Sequence, residues 1–195
     1  MNFFEVFGLE RKLAIDGAAL QRRFYELSRQ HHPDFHQAAP ADEQARVLEA
    51  SALVNAAYRA LRDPIARVDY LVRLEEGRST EGDAVKPKAP PELLEEMFEI
   101  QEALQEARAG GLDEGVRETL TTQRERLLTR RQQEDERITG ELSAAWDAAA
   151  AAEKPRVLAA FKEALATRAY LRTVIDDLAE ALGATGEGHV AHHRH

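Results

Sequence analysis

Apolar side chains recur at helical spacing along most of this chain. Residues 2–7 form a short aromatic stretch that Gly8 stops. Asp16 stands where a helix N-cap belongs, and Leu20, Phe24 and Leu27 follow at intervals of four and three. This second helix must end near His31, because Pro33 drives the residue before it out of helical geometry. A polar loop over 34–40 leads into a third helix over 41–62. There Val47, Val54 and Leu61 recur every seven residues, with Ala50 and Ala57 between them. Asp63-Pro64 reads as a cap followed by proline at the first helical position. A fourth helix, through Tyr70, Leu71 and Leu74, ends at Gly77.

The stretch 77–90 carries Gly and Pro breaks and no periodicity, which marks a linker. Three further helices are predicted over 91–109, 112–152 and 155–182, separated by Gly110-Gly111 and Lys154-Pro155. Helices joined so closely run antiparallel and form a small bundle. The tail over 184–195 ends in His192-His193-Arg194-His195 and is expected to be mobile. The predicted fold is all-α. An antiparallel helical hairpin with short helices occupies 1–76, a linker 77–90, and a three-helix bundle 91–183.

Composition supports this and removes several chemistries. Ala, Leu, Glu and Arg dominate the 195 residues, and all are strong helix formers. The absence of Cys excludes disulfides, zinc–thiolate sites and thiol catalysis. A net charge of -9 argues against nucleic acid, whose phosphates need clustered Lys and Arg. The deficit is local: residues 1–74 carry ten basic and ten acidic groups, leaving 16 basic and 25 acidic groups to the rest. The chain has no run of about 18 apolar residues, so no membrane span is expected. The N-terminus lacks the basic-then-apolar order of a secretory signal, so a cytoplasmic chain is expected.

The tripeptide His32-Pro33-Asp34 lies between two amphipathic helices. Proline stiffens the turn and holds an imidazole and a carboxylate at a corner, where a carboxylate suits an arginine fork on another protein. A catalytic His–Asp pair would need a nucleophile, and there is neither Cys nor a serine elbow. A metal site built on His31, His32 and His36 would need a second ligand set. No Glu has a His three residues on, so the paired ligands of a di-iron bundle are missing too. No cofactor, metal site or enzymatic activity is expected.

Two charged helix faces accompany the loop. Arg22, Arg23 and Arg29 lie off the stripe of the second helix, as a solvated face or as a docking face for an acidic partner. Residues 91–106 hold six Glu and no Lys or Arg. Leu93, Met97, Ile100 and Leu104 form the core stripe of that helix. At about 100° per residue, Leu94 and Phe98 point roughly 90–130° away from it, and Glu102, Glu95, Glu106 and Glu99 follow in that angular order. Leu94 and Phe98 are thus either an exposed contact ridge or a seam against a neighbouring element.

The surroundings of the tripeptide resemble a J-domain. The segment Phe3-Phe4-Glu5-Val6-Phe7-Gly8-Leu9 precedes it, and Asn55-Ala56-Ala57-Tyr58-Arg59-Ala60-Leu61-Arg62-Asp63-Pro64 follows. Arg67-Val68-Asp69-Tyr70-Leu71 and Trp146-Asp147-Ala148-Ala149 extend the similarity to the HscB family, co-chaperones of iron–sulfur cluster assembly, over nearly the whole chain. The resemblance implies a monomeric adaptor, not an enzyme. His32, Pro33 and Asp34, with Arg22, Arg23 and Arg29, would meet a DnaK-type ATPase chaperone, HscA. Leu94, Phe98, Glu99, Glu102 and Glu106 would meet the scaffold protein IscU. Phe161 matches a further scaffold contact, although its spacing with Ala164, Arg168 and Leu171 suits a core residue equally well. Where the family commonly has a basic residue after the aspartate, Phe35 stands here.

Overall fold

The structure is a computed structural model describing residues 1–78 and 91–183. Most of the predicted linker and all of the predicted tail lie outside the described residues. Every regular element among the described residues is helical. The chain runs through α1 (Phe3–Val6), α2 (Gly17–Gln30), a 3₁₀ turn (Pro33–His36), α3 (Ala41–Arg62) and α4 (Pro64–Glu75). It continues through α5 (Leu94–Gly110), α6 (Glu114–Arg137), a π turn (Ile138–Leu142), α7 (Ser143–Ala148) and α8 (Lys154–Ala181). No helix among the described residues is long and apolar enough to cross a membrane.

Local chemistry accounts for the boundaries. Asn2 and Glu5 form a reciprocal capping box on α1. The Asp16 carboxylate accepts the Ala18 and Ala19 N–H groups at 2.9 and 3.1 Å and starts α2. Asp63 caps α4 through the Ala66 N–H, with Pro64 behind it in the first turn. Gly77 takes φ 65°, a left-handed conformation that stops α4 at little steric cost.

The described residues pack into two units. The first comprises the described parts of Met1–Asp83 and Ile138–Phe161. Within it α2 and α3 form the expected hairpin: Leu20, Leu27, Val47, Val54, Ala57 and Leu61 are buried. The Phe24 ring stacks on Tyr58 at 4.0 Å between centroids. The second unit comprises the described parts of Ala84–Arg137 and Lys162–His195. Its core joins Leu93, Met97, Ile100 and Leu104 of the α5 stripe to Val116, Leu120 and Leu127 of α6, and to Leu171, Val174, Ile175 and Leu178 of α8.

Residues 138–161 pack with the first unit, whereas the sequence placed them in a bundle over 91–183. The physical reason is a pair of long-range hydrogen bonds. The Asp147 carboxylate accepts the N–H groups of Leu13 and Ala14, each at 2.8 Å. On the other side of the same backbone, buried Arg67 donates to the Leu13 carbonyl and, at 2.8 Å, to the Leu61 carbonyl. Burial lowers the Arg67 pKa, and Asp63 and Asp147 act in the opposite direction. The helix predicted over 112–152 is also interrupted. It passes through the π turn, where Ser143 Oγ donates to the Ile138 carbonyl at 2.7 Å, and ends at Ala148. Ala149 is extended, and the Glu153 side chain accepts the Ala150 N–H at 3.1 Å. Alanine propensity had favoured continuous helix here; a side-chain bond to the backbone overrides it.

Two outcomes follow. Asp147→Ala leaves two loop N–H groups without their charged acceptor and is expected to lower stability by roughly 2 kcal/mol, measured by urea unfolding. Asp16 gives a pH signature. Its carboxyl is held below the ordinary value chiefly by the backbone N–H groups of Ala19 and Ala18. A depressed folded-state pKa contributes stability above the unfolded-state value, and that contribution disappears as pH falls through the folded-state value. Asp16→Asn keeps a capping side chain without a charge, so its stability deficit relative to wild type should shrink between neutral pH and about pH 3. A deficit independent of pH would show that the charge contributes nothing.

Candidate functional site: an exposed loop and an acidic ridge

The loop owes its shape to Pro33. Helix α2 closes at Gln30, His31 caps it, and His32 turns extended at φ -76°, ψ 125° before Pro33 opens the 3₁₀ turn. The turn is tied at each level. His32 Nδ1 accepts the Asp34 N–H at 3.2 Å, which leaves the proton of a neutral imidazole on Nε2. The Phe35 N–H donates to the His32 carbonyl at 3.1 Å. The His36 ring donates from Nε2 to the Gln30 carbonyl at 3.1 Å, and its Nδ1 lies 3.8 Å from Glu43. From α3, the Gln44 amide donates to the Gln37 and Ala39 carbonyls at 3.0 and 2.9 Å. The loop is thereby stapled to both helices of the hairpin.

What the staples display is polar and open. The Asp34 side chain is 71% exposed and that of His32 51%. His32 Nδ1 and the nearest Asp34 oxygen are 3.7 Å apart, too far for a direct hydrogen bond. The site offers a carboxylate and an imidazole on a fixed corner, suited to contact another molecule. Among the described residues, no three His, Asp or Glu side chains converge as metal ligands would. Pro33 is half-buried, and Arg22, Arg23 and Arg29 are exposed on α2 as their spacing predicted. Arg23 pairs with Glu26 at 2.9 Å, and the Arg22 charge acts on Asp16 at the start of the same helix.

The second candidate surface belongs to the other unit. On α5 the stripe residues Leu93, Met97, Ile100 and Leu104 are buried, while Leu94 is 49% and Phe98 77% exposed. Glu99, Glu102 and Glu106 are exposed as well, and Glu99 accepts a long bond from Gln123 at 3.4 Å. The Glu95 side chain lies outside the described residues. The exposed-ridge alternative for Leu94 and Phe98 therefore describes this unit. Phe161 does not join the ridge. It is fully buried in the first unit, 6.4 Å from the Trp146 ring between centroids, and has no surface to offer a partner. Sequence spacing had left that residue open between core and contact.

Sequence reasoning passed over Tyr25 and Leu48, both exposed on the hairpin, and gave Phe35 no contact role. Tyr25 sits three residues after Arg22 and four before Arg29, a signal of shared face that was present in the spacing.

No family model matches the sequence. Solved structures share the fold. The chaperone HscB of Vibrio cholerae superposes with a TM-score of 0.61 at 21% identity, covering 94% of this chain and 99% of that one. The human co-chaperone protein HscB gives a TM-score of 0.63 at 24% identity, covering 91% of this chain and 80% of the human one. At these identities the likeness is one of fold: an N-terminal J-domain and a C-terminal helical bundle.

Proposed function

We propose that this protein is a non-enzymatic J-domain co-chaperone of iron–sulfur cluster assembly. The observation that carries the reading is the His32-Pro33-Asp34 corner, open to solvent and stapled by His36 and Gln44 to both helices of its hairpin. A preformed corner loses little conformational entropy on docking. In this reading His32, Pro33 and Asp34 contact the ATPase domain of a DnaK-type chaperone, HscA, and Arg22, Arg23 and Arg29 steer the encounter electrostatically. Docking favours the chaperone state that hydrolyses ATP and grips its client. The co-chaperone shifts that equilibrium only as far as its own preference between the two states allows. His32 and Asp34 supply contacts, and the hydrolytic chemistry stays in the partner.

The client is the scaffold protein IscU, held on α5. Leu94 and Phe98 are the apolar anchors, and Glu99, Glu102 and Glu106 set register beside them. The fold shared with HscB chaperones supports this pairing of surfaces.

Purified protein should raise ATP turnover by the cognate HscA, and His32→Gln should remove the rise while leaving the helical circular dichroism intact. Normal stimulation by that variant would defeat the loop assignment. The double variant Leu94→Ala/Phe98→Ala should weaken IscU binding by about thirtyfold or more, with stimulation in the absence of scaffold unchanged. Titration calorimetry separates the possibilities: if the wild type stimulates the ATPase but does not bind IscU, the bundle serves a different client.

A further inference from the structure

Six large apolar side chains stand open to solvent among the described residues. Met1 is terminal, and Leu94 and Phe98 form the ridge on α5. The remaining three, Tyr25, Phe35 and Leu48, all lie on the hairpin that carries the loop. Single exposed apolar residues are ordinary, but a group of them beside a charged corner marks a contact surface.

Phe35 and Leu48 are tied to Asp34 by their placement. Phe35 follows it in the chain, and its ring meets the His32 ring edge-on at 5.7 Å between centroids. That contact holds the aromatic side chain beside the tripeptide. Leu48, from α3, borders a hollow of about 120 Å³ together with Pro33, Asp34 and Val47. The hollow has room for about four waters, or for one aliphatic side chain in their place. Tyr25 lies on the α2 face shared by Arg22 and Arg29, with its ring against Phe24.

We infer that Phe35 and Leu48 form an apolar collar beside the docking corner, with Tyr25 on the adjoining α2 face, and that the ATPase domain received there presents an apolar patch to them. The inference rests on the co-chaperone reading and adds to it what holds the complex together. Apolar contacts around a charged centre exclude water from it. A pair formed by Asp34 inside such a collar sits in a lower dielectric and is less screened by salt than a pair on an open surface. The arginines then govern mainly the encounter rate, and the collar governs the residence time.

The test is the concentration of this protein that half-maximally stimulates the purified cognate DnaK-type chaperone, measured at about 50 and about 300 mM KCl. For the wild type it should rise less than about threefold across that range. Phe35→Ala/Leu48→Ala should raise it about tenfold or more at both salts, and Phe35→Leu should stay near wild type. Phe35→Lys, a solvent-facing change that leaves the core alone, should weaken docking and steepen the salt dependence. His32→Gln serves as the control. If it is silent while the double alanine variant performs within about twofold of wild type, the collar is wrong and the co-chaperone reading stands. A wild type that loses about thirtyfold between the two salts overturns the collar as well. If His32→Gln stimulates normally, the docking reading itself falls and the collar with it.

Discussion

A helix stopped by proline leaves its last carbonyl groups without intrahelical donors, and the function proposed for this chain depends on how they are satisfied. At the end of α2 the Gln30 carbonyl is taken by the His36 ring, and farther along the loop the Gln37 and Ala39 carbonyls are taken by Gln44 from the facing helix. These bonds turn what would be a mobile connection into a corner of fixed shape. Below it, the Phe24–Tyr58 stack and the buried Leu27 and Val47 keep the two helices together. The exposed imidazole and carboxylate therefore stand on a rigid support.

The same device recurs where the chain passes from α1 to α2. The backbone at Leu13 has its N–H taken by Asp147 and its carbonyl by Arg67, two side chains far away in sequence. Burying a guanidinium is costly unless its donors are used, and Arg67 uses them on two backbone carbonyls. In both places loop backbone is held by polar side chains from flanking helices, which makes the first unit stiff around its irregular segments.

The two candidate surfaces combine apolar anchors with charge of opposite sign. On the hairpin, Arg22 and Arg29 lie beside Tyr25; on α5, Leu94 and Phe98 lie beside Glu99, Glu102 and Glu106. The net charge of -9 is an average over these unlike regions and describes neither. In the proposed complexes, apolar area supplies the attraction in each case, while charge selects the partner and sets the encounter rate.

By itself the sequence determined most helix boundaries and the faces of most helices. Caps such as Asp16, stops such as Pro33 and Gly77, and the repeat of Leu93, Met97, Ile100 and Leu104 act within a turn or two of the backbone, so neighbouring residues carry all the information needed. The angular offset of Leu94 and Phe98 was legible for the same reason, but whether anything covered them was not. Tertiary structure alone decided that Phe161 is buried beside Trp146, that 138–161 belongs with the first unit, and that the corner is stapled from both sides. The physical reason is distance along the chain. Periodicity reports which residues share a face, whereas a carboxylate that grips backbone 133 and 134 residues away leaves no periodic trace.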